Sequence, residues 1–241
     1  MIANCESPTR SEQMVNNDYE EFKLKIFLLV YNTHMSREEK AKEVVSRLKK
    51  IYPNPKTALN YTNPFELLIA TILSAQANDK TVNAVTPELF KKYKTPKSLA
   101  EADFDEVNEL IRKITFHNNK TKSIISASKV IAEKHGGKVP ESMEELDALP
   151  GVARKTANVV LGQVYGKAEG IVVDTHVRRL SNKLGLTDKK DPEKIEKDLM
   201  EILPKKDWIY FSSALILYGR ESSPARGKGK KEDVLLDIYN S

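Results

Sequence analysis

The sequence predicts an all-α protein, and two patterns favour that fold class. Apolar residues recur three and four positions apart, as at Ala41, Val44 and Leu48, which places them on one face of a helix. Residues that cap helix amino termini precede such runs, as Ser36 does three positions before Glu39. The apolar residues make up 40% of the chain, which is enough for one large core or two modest ones.

Helix starts are marked along the chain by a capping residue, an early proline or both. These starts fall at Ser36, Asn63-Pro64, Thr95-Pro96, Asp103, Ser142 and Asp191-Pro192. A further helix over Lys120–Lys134 is predicted to stop at the following His-Gly-Gly. A last amphipathic helix over Trp208–Leu217 is predicted to close at Gly219.

The stretch Leu146–Leu161 predicts two short helices joined by a tight turn. Ser142 caps the first helix, and Pro150-Gly151 ends it. A second helix is predicted to begin near Arg154. Backbone N–H groups at a helix amino terminus form a ready site for a phosphate, and they contact the nucleic-acid backbone rather than its base sequence.

Within this stretch, LPGVARKTANVV fits the helix-hairpin-helix pattern hxxhGhGxxxAxxxh and resembles the version carried by the endonuclease III family of DNA glycosylases. That family places a catalytic lysine just after the hairpin, where Lys155 stands, and a catalytic aspartate in a VDTH segment, where Asp174 stands. The resemblance implies that Gly151, Ala153 and Arg154 of the hairpin contact DNA. Ala153 departs from the family, because it occupies the position of the second glycine of the motif.

The resemblance begins near Ser36 and implies a two-domain helical DNA glycosylase fold with a DNA-binding cleft between the domains. It assigns residues 57–167 to a helical barrel domain that carries the hairpin motif. Residues 36–56 and 168–241 then form a second helical domain. The N-terminal extension, residues 1–35, is polar and aperiodic at its start, which predicts partial disorder.

Other positions match residues of the family that lie at the DNA. Gln76 stands where a glutamine enters the base stack and fills the space left by an extruded base. Phe116 stands where a side chain wedges into the opposite strand, which offsets part of the unstacking cost; a core phenylalanine is the alternative. His176 matches a DNA-contacting position, although a histidine at a helix start can also cap it. Asp79 matches an aspartate that caps the next helix.

Lys155 and Asp174 together supply what cleavage of an N-glycosidic bond requires. The sugar gains positive charge, so the site needs a carboxylate and a nucleophile. A lysine attacks only as the neutral amine, and partial burial and the positive end of the second helix are expected to favour that form. Lys155 then forms a Schiff base that permits β-elimination, while Asp174 deprotonates the amine or stabilises the sugar cation. Taken singly, Lys155 is also explained as a phosphate contact and Asp174 as a helix cap.

The charge of the chain favours a polyanionic partner. Its 39 basic and 34 acidic residues give a net charge of +5 and a pI near 9.0, although lysine-rich solubility explains this balance equally well. The resemblance implies double-stranded DNA with a damaged base or an abasic site as the partner, and a monomer is expected. No apolar run approaches the roughly 20 residues that span a bilayer, so an intracellular protein without membrane contact is predicted.

The C-terminal tail departs most from the family. After the sequence HGR, the family has four cysteines in the pattern C-x6-C-x2-C-x5-C, and they hold a four-iron cluster. After Tyr218-Gly219-Arg220, the corresponding residues of this chain are Ser223, Lys230, Asp233 and Tyr239. They cannot replace a set of thiolates, and the chain has a single cysteine, Cys5. The iron–sulfur cluster is therefore expected to be absent, with no other metal or cofactor in its place. Apolar residues in 234–239 predict a short helix docked on the second domain.

Three functions compete at this point. The first is a bifunctional DNA glycosylase and AP lyase that removes oxidised pyrimidines. The second is a glycosylase of the same fold for another base, such as uracil or thymine in mismatches, adenine or 8-oxoguanine, and Lys155 argues against the members that lack lyase activity. The third is a non-catalytic helix-hairpin-helix DNA-binding protein, which the presence of both Lys155 and Asp174 argues against.

Overall fold

The structure, a computed structural model, describes residues 35–227, 229 and 231–239, and over these residues it consists of helices without a β-strand. The predicted all-α fold class is confirmed. Almost all of the N-terminal extension, residues 1–35, lies outside the described residues. In the described part of the chain, every helix is too short or too polar to span a membrane.

The helices are short to medium in length and follow one another through brief turns. They are α1 (Arg37–Ile51), α2 (Pro64–Ser74), α3 (Asp79–Lys92), α4 (Pro96–Ala100), α5 (Phe104–Leu110), α6 (His117–Lys134), α7 (Met143–Asp147), α8 (Arg154–Tyr165), α9 (Thr175–Lys183), α10 (Pro192–Ile202), α11 (Trp208–Glu221) and α12 (Leu236–Tyr239). A single 3₁₀ turn, Lys205–Asp207, precedes α11.

The predicted helix starts are confirmed by side-chain caps. In each case the capping side chain accepts a hydrogen bond from the backbone N–H three positions further on, which satisfies a group that the helix itself leaves unpaired. The capping residues are Ser36, Asn63, Thr95, Asp103, Ser142 and Asp191.

Two helix boundaries differ from the prediction. Helix α6 begins at His117 rather than Lys120, because Phe116 takes the N-cap position without a side-chain cap that the sequence could signal. Helix α11 runs through Gly219 to Glu221 instead of closing at the glycine. Gly219 has another function: a Cβ atom there would lie 2.7 Å from Nδ1 of His176, so the glycine permits close packing between helices.

Two separate hydrophobic clusters form the interior. The first takes its members from Leu59 to Leu161, and therefore from α2 to α8. The second combines α1, which contributes Ala41 to Tyr52, with residues from Ile171 to Ile238. The described part of the chain thus begins in the second cluster, forms the first cluster and then returns to the second. The domain boundaries deduced from the sequence stay a prediction, and the two clusters are the physical reason to retain them.

Polar contacts join the two halves. Arg220 of α11 forms an ion pair with Asp79 of α3, with 2.8 Å between Nη2 and Oδ2. The amide of Gln163 in α8 donates to the hydroxyl of Ser213 in α11 at 3.0 Å. The two hydrophobic clusters are therefore joined by polar contacts as well as by the chain itself.

The C-terminal tail packs on the second cluster as predicted. Leu235 and Ile238 are fully buried there, and α12 is the expected short helix. At the centre lies Tyr218, which is also fully buried: its hydroxyl donates to Asp233 and accepts from the backbone N–H of Leu235 at 3.2 Å. Burial, followed by the hydrogen bond to Asp233, raises the pKa of Tyr218 well above its usual range.

Contacts from α1 and α9 hold the same tail from outside. Arg47 donates to the carbonyl oxygen of Val234 at 2.9 Å and to Oδ1 of Asp237 at 2.5 Å. The ammonium of Lys183 lies 3.5 Å from the centre of the Tyr239 ring. The segment between residues 231 and 239 is thus fixed by hydrogen bonds, ion pairs and apolar burial.

We predict that Tyr218→Phe destabilises the protein by about 1–3 kcal/mol, because it leaves Asp233 and the N–H of Leu235 without their partner in a buried setting. Urea unfolding at equilibrium measures this change in the free energy of unfolding. Tyr61→Phe, in a partly buried tyrosine packed on the first cluster, is the control and is expected to change it by less than about 0.5 kcal/mol. Equal changes in the free energy of unfolding for Tyr218→Phe and Tyr61→Phe would contradict the role of the Tyr218 hydroxyl.

Candidate active site and DNA-binding surface

A cavity of about 570 Å³ opens between the two halves of the molecule, and both predicted catalytic residues line it. Lys155 reaches it from α8, and Asp174 reaches it from the start of α9. Gln76, from the turn after α2, belongs to the same lining. The cavity therefore brings together Lys155, Asp174 and Gln76, and Asp79 lies in the same lining, while the other predicted DNA contacts lie outside it.

The turn between α7 and α8 has the backbone that the hairpin motif demands. Gly151 has a φ of +77°, and a Cβ atom there would lie 2.5 Å from Cβ of Ser123 in α6. Glycine is thus required both by conformation and by close approach. Val152 is buried beneath the turn, and its N–H donates to the carbonyl of Leu149 at 3.1 Å. The hairpin is a rigid element of the first cluster.

Ala153 fits the place of the second glycine without strain. It is the N-cap of α8, with φ −105° and ψ 164°, an extended conformation that alanine adopts freely. No side chain caps this helix start, so the first N–H groups of α8 have no side-chain acceptor. A helix amino terminus of this kind favours a bound anion.

Lys155 lies in the first turn of α8, beside the positive end of the helix dipole. The expectation of partial burial is wrong for the protein alone, because Lys155 is exposed. The reason is geometric: the side chain lies in the lining of the open cavity between the two halves.

Asp174 is the N-cap of α9, which is the structural role considered from the sequence. Its Oδ1 accepts from the backbone N–H groups of His176 and Val177, both at 2.8 Å. The cap uses Oδ1 alone, and Asp174 also lines the cavity. Capping and catalysis are therefore compatible: the cap fixes the position of the carboxylate and leaves Oδ2 out of the capping bonds.

Gln76 and Phe116 share an unusual backbone conformation. They are the non-glycine residues with positive φ in the described part of the chain, at 54° and 58°. Both side chains are exposed, and Phe116 exposes 60% of its surface, so the alternative of a core phenylalanine is wrong. Non-glycine residues in this region cost free energy and cluster at functional sites.

The remaining predicted DNA contacts have partners inside the protein. Arg154 forms an ion pair with Glu196 of α10, with 3.1 Å between Nη2 and Oε1, and this hydrogen-bonded pairing raises the pKa of Arg154. His176 is half-buried against Gly219, and burial lowers the pKa of its imidazole. Asp174, not His176, caps α9. A DNA contact by Arg154 or His176 stays a prediction.

The prediction that Asp79 caps the next helix is wrong. Asn78 caps α3, because its Oδ1 accepts from the N–H of Lys80 at 2.8 Å. Asp79 instead pairs with Arg220, and both residues line the cavity. This ion pair was not predicted, since its members are 141 positions apart in the sequence and no local signal connects them.

The tail does not offer ligands for an iron–sulfur cluster. None of the residues at the expected positions is a cysteine, and the side chains of Asp233 and Tyr239 are engaged with the buried hydroxyl of Tyr218. An iron–sulfur cluster requires thiolates, and no cysteine lies in this region. Elsewhere among the described residues, no group of three or more His, Cys, Asp or Glu side chains is placed to hold a metal ion.

Comparison with known proteins agrees with this geometry. A family model for HhH-GPD superfamily base excision DNA repair proteins matches residues 69–205, more than half of the chain. Endonuclease III of Synechocystis sp. (strain ATCC 27184 / PCC 6803 / Kazusa) is 50% identical over 191 residues, which cover 79% of this chain and 87% of that protein.

Solved structures show the same similarity. A non-covalent endonuclease III–DNA complex matches with a TM-score of 0.75 and 38% identity, over 80% of this chain and 91% of the other. A trapped endonuclease III–DNA covalent intermediate matches with the same values. The chain therefore belongs to the endonuclease III family of the HhH-GPD superfamily of base excision DNA repair proteins.

Proposed function

We propose that this protein is a DNA N-glycosylase and AP lyase of base excision repair, which removes damaged pyrimidines and cleaves the resulting abasic site. The observation that carries the proposal is the joint presence of Lys155 and Asp174 in one cavity, each at the amino terminus of a helix. Membership of the endonuclease III family and similarity to its DNA complexes support the same activity and DNA as the partner.

Base release uses the two residues in different ways. The neutral amine of Lys155 attacks C1′ of the nucleotide, the C1′–N bond breaks, and the base leaves with the electron pair and takes up a proton. Asp174 accepts the proton that the attacking amine loses, or stabilises the positive charge that develops on the sugar. Lys155 attacks from the first turn of α8, and the packed helix fixes the position of that turn.

Strand cleavage follows from the covalent bond. Opening of the sugar ring gives an imine between Nζ of Lys155 and C1′. Loss of a proton from C2′ then lets the C3′–O bond break, and the 3′ phosphate departs as the leaving group. Water finally releases the sugar fragment from the lysine, which restores the enzyme. No step calls for a metal ion or an oxidant.

The DNA lies across the cleft in this proposal. The hairpin turn, with Gly151, Ala153 and the backbone of Arg154, binds phosphate through the uncapped start of α8. Gln76 fills the space of the extruded base, and the exposed Phe116 enters the stack on the other strand. We also propose that the enzyme acts as a monomer inside the cell, where its DNA substrate is found.

We predict that borohydride traps a covalent adduct between the protein and an abasic-site duplex, because the imine at Lys155 is reducible. Lys155→Gln is expected to reduce trapping at least about 100-fold while duplex affinity stays within about threefold, since the hairpin amides remain. Gel electrophoresis after reduction measures the adduct. Lys97→Gln, in an exposed lysine of α4, is the matched control and should trap like the wild type. Undiminished trapping by Lys155→Gln would assign the nucleophile to another amine.

We predict that Asp174→Asn slows base release from a thymine glycol duplex by about 10²–10⁴-fold, and cleavage of a preformed abasic site by less than about tenfold. Asparagine also caps helices well, so the fold of α9 is retained. Single-turnover rates on the two substrates check this. Asp191→Asn, a cap at α10, serves as the control. Equal losses on both substrates, or faster release of 8-oxoguanine than of thymine glycol, would contradict the proposed roles.

We propose further that the enzyme works without an iron–sulfur cluster. The purified protein is expected to be colourless, with no absorbance in the visible band of iron–sulfur proteins and less than about 0.1 iron per chain, because none of the residues at the four thiolate positions of the tail is a cysteine. Elemental analysis of protein prepared without chelators measures the iron. Lyase activity should survive a chelator unchanged. Stoichiometric iron, or activity lost on chelation and restored by iron, would contradict this prediction.

A further inference from the structure

Lys120 of α6 is a buried cation to which the proposed chemistry gives no role. Only 7% of its surface is exposed, and it does not belong to the lining of the cavity. Its ammonium donates to the carbonyl oxygen of Leu73 at 2.7 Å and to that of Ala75 at 2.5 Å. Burial lowers the pKa of Lys120, because the ammonium loses its hydration there. The two carbonyl acceptors offset part of that desolvation cost. An apolar residue at this position would not incur the cost at all.

Both acceptors lie at the carboxyl end of α2. The last carbonyl groups of a helix have no partner within the helix, and their partial negative charge favours a cation. Leu73 belongs to the final turn of α2, and Ala75 is its C-cap. The ammonium of Lys120 therefore closes this helix end from a different helix.

The segment directly after α2 is a tight turn that carries Gln76. The N–H of Ala77 donates to the carbonyl of Ser74 at 3.0 Å. Ala75 has φ −56° and ψ 117°, and Gln76 has φ 54°. These three angles fit a type II turn, in which the third residue must have positive φ and is usually glycine or asparagine. Glutamine at this position needs support from its surroundings.

Lys120 supplies that support at one particular atom. A type II turn differs from a type I turn in the orientation of its central peptide, which here joins Ala75 to Gln76. The carbonyl oxygen of Ala75 belongs to this peptide and accepts from the ammonium. If the peptide turned over, the hydrogen bond would be lost, and φ of Gln76 would become negative. The side chain of Gln76 would then point in another direction.

Lys120 is also hydrogen-bonded to Phe116, the other exposed residue with positive φ. The backbone N–H of Lys120 donates to the carbonyl of Phe116 at 3.1 Å, which closes the first turn of α6. Phe116 is the N-cap of that helix, with φ 58° and ψ 35°. Lys120 thus links the two residues of positive φ, through its side chain on one side and its backbone on the other.

We propose that Lys120 is a positioning residue: its ammonium holds the turn of residues 74–77 so that Gln76 stands ready to enter the base stack, on the same anchor as Phe116. This inference rests on the proposed function, in which Gln76 fills the space of an extruded base. Lys120 touches neither the substrate nor the reacting atoms. Its effect reaches the reaction through Gln76.

The test compares a substrate that requires base extrusion with one that does not. Lys120→Met keeps the methylene groups and removes the donor. It is expected to slow single-turnover base release from a thymine glycol duplex at least tenfold. Borohydride trapping on a single-stranded abasic oligonucleotide, which has no base stack to fill, should stay within twofold of the wild type. Lys129→Met removes an exposed lysine from the same helix. It should leave the rate of base release and the extent of trapping within twofold of the wild type.

A double-mutant cycle separates positioning from a general effect on the fold. Gln76→Gly removes the side chain and is expected to slow base release to a similar extent. If Lys120 acts through Gln76, the combined variant should be no more than twofold slower than the worse single variant. Lys120→Gln keeps a neutral hydrogen-bond donor and is the second variant if Lys120→Met fails to fold. It should slow base release by less than Lys120→Met, and again only on the duplex substrate.

Each outcome decides between the alternatives. A loss confined to the duplex substrate, together with a non-multiplicative cycle, supports the inference. Equal losses on both substrates, or losses that multiply in the combined variant, would overturn it, because Lys120 would then act independently of Gln76. A wild-type protein inactive on both substrates would instead overturn the proposed function, and the role of Lys120 with it.

Discussion

Two helix amino termini from different hydrophobic clusters must meet at one cavity, and the rest of the structure depends on that requirement. Helix α8 of the first cluster carries Lys155 in its first turn, and α9 of the second cluster begins at Asp174. Each side chain is therefore placed by the backbone of a packed helix. The distance between the two groups then depends on how the clusters are joined, to which the ion pair of Asp79 and Arg220 contributes.

The tail illustrates how one structural task is performed by different chemistry. In the family, thiolates and iron tie this segment into a loop. In this chain, a buried tyrosine hydroxyl at Tyr218 organises the polar groups of the tail, while Leu235 and Ile238 supply apolar burial. These contacts are individually weak, but several of them act on a short segment. These contacts attach the tail to the second cluster without a metal ion or a cysteine side chain.

The local features of this fold were predictable, and the long-range contacts were not. Caps such as Ser142 and the hairpin glycine depend on residues a few positions apart, so a single sequence contains their signals. The sequence could not predict that Asp79 pairs with Arg220, that Lys155 is exposed, or that Lys120 is buried against another helix. Each of these facts depends on which helices pack together, and hydrophobic spacing alone does not determine that.

The connection between Arg47 and the tail bears on how the molecule is made. The first cluster uses one continuous stretch, Leu59 to Leu161, and its contacts can form while later segments are still being synthesised. The second cluster joins α1 to a helix that follows it after a long interval, since Arg47 and Asp237 are 190 positions apart. The apolar face of α1 therefore finds its partners only after α10 and α11 have been synthesised, and the contact of Arg47 with the tail forms last. The cleft needs both clusters, so we expect the hairpin of the first cluster to fold before Lys155 and Asp174 are brought together.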